Sequence, residues 1–149
     1  MIKAVFVVKG EKFIGFTVKG HSGYAESGND IICAGVSSAL MLTVNTITDF
    51  FSVAADIDIS SEKDGYAKSG NDIICAGVSS ALMLTVNTIT DFFSVAADMD
   101  IRPDNEGYAK FRLKAPYVDD ACTMIKSFYT HLTILEEEYG HIDVRTEQC

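Results

Sequence analysis

Residues 30–51 read DIICAGVSSALMLTVNTITDFF, and the same 22 letters return at 72–93. Within the first copy Ile32, Val36, Leu40, Val44, Ile47 and Phe51 recur every three to four residues, which places them on one stripe of a helix running to about Val53. Asn29 or Asp30 supplies a side-chain oxygen able to cap its first turn. The helix contains no charge between Asp30 and Asp49, yet Ser37, Ser38, Thr43, Asn45, Thr46 and Thr48 interrupt it. A buried helix of a soluble protein fits that mixture better than a membrane span.

The identity extends beyond the helix. Residues 27–68 recur as 69–110, a period of 69 − 27 = 42, with six differences: Ile57 against Met99, and Ser60 to Asp64 against Arg102 to Glu106. Gly-Tyr-Ala stands at 23–25, 65–67 and 107–109, which marks where the unit was joined. Two copies flanked by unrelated segments are too few for a stacked array. The chain therefore reads as one domain, residues 1–149, carrying a tandem duplication; one unit fewer leaves 149 − 42 = 107 residues, enough for a small domain.

Outward from the repeat, Ile2, Ala4, Phe6 and Val8 alternate, then Ile14, Phe16 and Val18, with Lys9-Gly10-Glu11 between them as a hairpin turn. Asp56 to Ile59 and Tyr108 to Leu113 are expected to pair as a second hairpin. After Pro116, the residues Val118, Cys122, Ile125, Phe128, Leu132, Leu135 and Tyr139 mark a long amphipathic helix stopped by Gly140, and Ile142 and Val144 suggest a last strand. The order predicts an α+β fold: a mainly antiparallel sheet with two helices packed on one face, plus an extra helix and short strand from the duplicated segment.

With 48% hydrophobic and 22% charged residues the composition is globular, and the net charge of -9 argues against a nucleic-acid partner. Met1 to Val8 lacks a small-residue cleavage site after its apolar run, so a cytoplasmic location without membrane attachment is expected. Cys33, Cys75, Cys122 and Cys149 form no CxxC pair and no zinc spacing, so neither metal nor cofactor is expected. Cys122 falls on the apolar stripe of the last helix and reads as core, Cys149 as a terminal free thiol, and His131 and His141 as surface residues.

Cys33 differs from these. It sits in the first turn of its helix, where unpaired N–H groups and the positive dipole end favour a negative sulfur. His21 lies twelve residues upstream across a glycine-rich stretch, within reach as a base. Spacing alone favours a small buried cysteine and a loop histidine.

The run Gly20-His21-Ser22-Gly23-Tyr24-Ala25-Glu26-Ser27-Gly28-Asn29-Asp30-Ile31-Ile32-Cys33-Ala34-Gly35-Val36-Ser37 resembles the signature of the ribosomal-processing cysteine proteases, the Prp family. The resemblance implies a cysteine endopeptidase that removes the N-terminal extension of a large-subunit ribosomal protein. It implies His21 as base and Cys33 as nucleophile, Asp30 and Ser37 as supporting positions, Gly23 and Gly28 in a substrate loop, and a homodimer. The repeat adds Cys75 as an alternative nucleophile, whereas the position 42 after His21 is Lys63. The short tether to His21 makes Cys33 the expected nucleophile, although the second copy has the direct connection into Tyr108. A catalytically silent ribosome-associated binding module, or a duplicated variant of impaired activity, is the alternative function.

Overall fold

The computed structural model describes residues 1–20, 31–56, 73–102 and 107–149, with backbone alone for 31–37 and 73. Strand β1 (Ile2–Lys9) turns into β2 (Lys12–Lys19). Helix α1 (Ile31–Asn45) belongs to the first copy and α2 (Ile73–Asn87) to the second. Then follow β3 (Ala97–Arg102), β4 (Tyr108–Leu113), α3 (Asp119–Tyr139) and β5 (Ile142–Gln148). The five strands form one sheet in the order β3-β4-β2-β1-β5, antiparallel except for the parallel pair β1 and β5. This is the α+β architecture expected from the element order.

The alternation in the strands is realised as burial. Ile2, Ala4 and Phe6 of β1, Ile14, Phe16 and Val18 of β2, and Ala109, Phe111 and Leu113 of β4 are all buried. The stripe of α3 packs on them through Ala121, Cys122, Ile125, Phe128 and Leu132, and burial pushes the Cys122 thiol up. Phe16 stacks on Phe111 at 5.4 Å between ring centroids, and Phe128 meets Phe6 and Phe16 edge-on at 5.6 and 5.1 Å. Only the ends of the stripe, Val118 and Tyr139, stand in water, and Gly140 ends the helix at φ 68°, its N–H on the Glu136 carbonyl.

The second copy, not the first, covers the remainder of the sheet. Val78, Ala81, Leu82, Val86 and Ile89 are buried in the core, whereas Leu40 and Ile47, the first-copy counterparts of Leu82 and Ile89, are 45% and 39% exposed. Although Ile74–Phe92 is long and apolar enough to cross a membrane, its apolar side is spent on this core. The second hairpin is corrected accordingly. The strand paired with β4 is Ala97–Arg102 of the second copy rather than Asp56 to Ile59, of which residues 57–59 lie outside the described residues. Closing a hairpin across five residues costs less chain entropy than closing one across an entire repeat.

α1 packs on α2 and α3. Its contacts are polar as well as apolar: the Thr46 and Ser127 hydroxyls are 2.6 Å apart, and the Ser38 hydroxyl donates to the Gly77 carbonyl at 2.9 Å. His131, read from sequence as a surface residue, is instead buried at 6% exposure with Nε2 2.6 Å from Ser38 Oγ. Since the Ser38 proton is committed to Gly77, Nε2 carries the hydrogen and donates. Burial without a counter-charge lowers the His131 pKa to about 4. The unfolded chain restores the ordinary value near 6.5, so it binds a proton that the folded chain refuses, and stability is lost as pH falls from about 6.5 towards 4. Between pH 7 and 5 the loss through this residue is about 2 kcal/mol. Denaturant titrations at the two pH values should show it in the parent chain and not in His131→Gln.

Both repeat helices end alike. A π-helical turn, Thr46–Phe50 or Thr88–Phe92, is followed by a serine at positive φ, 55° at Ser52 and 54° at Ser94. Phe51 N–H reaches the Thr46 carbonyl at 2.9 Å, and Phe93 N–H reaches Thr88 at the same distance.

Candidate active site

A cavity of about 310 Å³ opens where α2 crosses the ends of β1, β2, β3 and β4. Cys75, the third residue of α2, lines it half-buried, with Val78, Ser79, Leu82 and Met83 following along the same helix. The sheet contributes Ile2, Val18, Ile101, Tyr108 and Ala109. A thiol on the first turn of a helix thus borders a chamber of mainly apolar side chains, suited to hold an apolar group.

Gly20 closes the rim. It stands at φ 95°, its N–H donates to the Gly107 carbonyl at 2.9 Å, and a Cβ there would come within 2.7 Å of the Met1 carbonyl oxygen. Any other residue would strain the backbone and displace the N-terminus. Gly20 therefore fixes where the chain leaves β2, at the edge of the cavity that Cys75 lines.

A second recess of about 330 Å³ shares Gly20 and Tyr108 with the first and is bordered by Met1, Lys3 and Lys19. The Arg102 guanidinium lies 5.3 Å over the Tyr108 ring and grips Asp100 through two hydrogen bonds of 3.0 and 2.7 Å. These bonds hold the Asp100 carboxyl below its usual range. They also fix the arginine at the cavity wall.

Of the residues expected at the site, His21, Gly23, Gly28 and Asp30 lie outside the described residues, as do the side chains of Cys33 and Ser37. The backbone of Cys33 belongs to the first turn of α1. The second-copy counterparts of Cys33 and Ser37 are Cys75 and Ser79, and both line the cavity. Tyr108 and Arg102 escaped the sequence reading. The one trace of Arg102 was that it stands where the first copy has Ser60.

The family model described as cysteine protease Prp matches twice, over residues 1–65 and 64–142. No curated protein gives a significant match. Among solved structures, SMU.848 from Streptococcus mutans is similar with a TM-score of 0.64 at 18% identity, covering 100% of this chain and 96% of that one. The essential ribosomal processing protease Prp from S. aureus, in complex with a covalently linked product peptide, gives a TM-score of 0.62 at 22% identity, over 99% of this chain and 100% of that one. The same protease with a substrate peptide gives 0.56 at 21% identity, over 100% of both chains.

Proposed function

We propose a reaction for this chain on the strength of its family: it belongs to the cysteine protease Prp family, and its substrate is the N-terminal extension of a large-subunit ribosomal protein. The observation that carries the reading is Cys75 on the first turn of α2, lining an apolar cavity whose rim is Gly20, the residue before His21. The S. aureus relative is described with a covalently linked product peptide, and we extend covalent catalysis to this chain by likeness.

In the mechanism, His21 removes the Cys75 thiol proton and the thiolate attacks the scissile carbonyl. Backbone N–H groups at the start of α2 stabilise the oxyanion. The tetrahedral species collapses to a thioester as the amine leaves with the proton from His21, and water, deprotonated by the same imidazole, releases the extension as a carboxylate. Ser79 takes the place foreseen for Ser37. Packing outweighs the short tether of Cys33 to His21, because α2 faces the sheet and α1 packs on α2 and α3.

A chloromethyl ketone built on the extension peptide tests this reading. It should alkylate Cys75 well before the exposed Cys149, as mapped by peptide mass spectrometry. Labelling of Cys33 and Cys75 no faster than Cys149 would overturn the protease mechanism in favour of a silent binding module.

A further inference from the structure

We propose that the two repeat copies exchange places on the sheet, so that the cavity holds Cys75 in one arrangement and Cys33 in the other. The consequence for catalysis, one site with two alternative nucleophiles, rests on the protease reading above; the exchange itself does not.

The two copies offer the same residues for packing. Every apolar side chain that α2 and its π-helical turn bury in the core, Val78, Ala81, Leu82, Val86 and Ile89, has the same residue 42 positions earlier: Val36, Ala39, Leu40, Val44 and Ile47. Burying the first copy instead returns the same apolar contacts. The polar contacts of the outer position are reproduced too, because Ser38 and Thr46, which reach His131 and Ser127, have counterparts Ser80 and Thr88.

Geometry does not oppose the exchange. Ser38 bonds to Gly77, and Phe51 meets Phe93, its own counterpart, with ring centroids 6.5 Å apart. The helices therefore run side by side in the same direction, and neither has to reverse. Eleven residue steps separate Gly20 from Ile31, and at roughly 3.3–3.6 Å per extended residue they outreach the ~10–12 Å width of a helix.

The sequence of the edge strand recurs as well. Residues 55–60 read ADIDIS where β3 reads ADMDIR. Of the two differences, Met99 is 52% exposed, and Arg102 contacts the exposed Asp100 and the Tyr108 ring. Those surface contacts and the short connection into β4 are what favour the second copy. Such contacts bias an equilibrium without abolishing its minor state.

A double-mutant cycle decides the matter. Ile89 is fully buried and Ile47 is 39% exposed. With exchange, the loss of urea midpoint from Ile89→Asn stops at the gap between the two arrangements, because the intact first copy takes its place. Ile47→Asn has a small effect, and the double variant loses far more than the sum. A fixed arrangement predicts the opposite: Ile89→Asn alone accounts for nearly all of the loss and the two changes add, which would overturn the proposal. The Ile→Ala pair repeats the cycle where the Asn variants are too unstable to measure. Cleavage supplies the second readout, since Ile89→Asn should raise the residual activity of Cys75→Ala by recruiting Cys33 and would leave it at background in a fixed arrangement. If no variant cleaves while the stability cycle stays non-additive, the protease reading fails and exchange stands.

Discussion

Cleavage of the extension peptide by Cys75→Ala falls at least about tenfold, Cys33→Ala keeps most of the parent rate, and the double variant drops to the uncatalysed level. Loss of the nucleophile of a hydrolase removes on the order of 10⁶ in rate, so no surviving group masks the double change. The single change is limited by the fraction of molecules that present Cys33, and minor states populated at about 0.1–10% correspond to losses of about 10- to 1000-fold. Initial rates by chromatography of the released extension check it. A double variant that still cleaves excludes both thiols from the chemistry. Equal losses from the two single changes contradict the packing asymmetry between Leu82, 5% exposed, and Leu40, 45% exposed.

The second large effect concerns the core that positions the site. Phe128 is fully buried between Phe6 and Phe16. Truncation to alanine removes its contacts and leaves a void bounded by rigid strands, a change that typically costs about 3–5 kcal/mol. In a domain of this size that lowers the melting temperature by roughly 8–16 °C. Asp119→Ala is the contrast. It breaks the 2.9 Å pair with Lys12, both partners largely in water, and pairs of this kind contribute about 0–1 kcal/mol. Calorimetry of the two variants separates them. A Phe128→Ala chain melting within a degree or two of the parent would mean that the aromatic cluster does not hold α3 to the sheet.

Much of this fold is written locally. The alternation of Ile2, Ala4 and Phe6 and of Ile14, Phe16 and Val18 specifies the first hairpin, and the stripe from Cys122 to Leu132 specifies α3, because each pattern has a single way of burying its apolar side. The thiol at a helix start was equally legible, and twice over. Which copy docks was not, because two identical segments carry identical propensities; the choice lies with the connection between β3 and β4. His131 shows a related limit. It flanks the apolar stripe three residues after Phe128, but its hydroxyl partner Ser38 stands 93 residues away. Tyr108 and Arg102 came to the cavity wall through strand pairing, which no short-range pattern reveals.

The ends of α1 and α2 carry one more lesson. The same letters terminate one helix laid on a sheet and another packed on its helical neighbours, and both finish in the same π-helical turn with φ of 55° and 54° at the closing serine. Surroundings that differ this much in wetness and in partners leave the backbone unchanged. The molecule is thus its own transplant control. The stop signal travels with the segment and should be portable to an unrelated host, whereas the burial of Leu82 against Leu40 belongs to the address and not to the text.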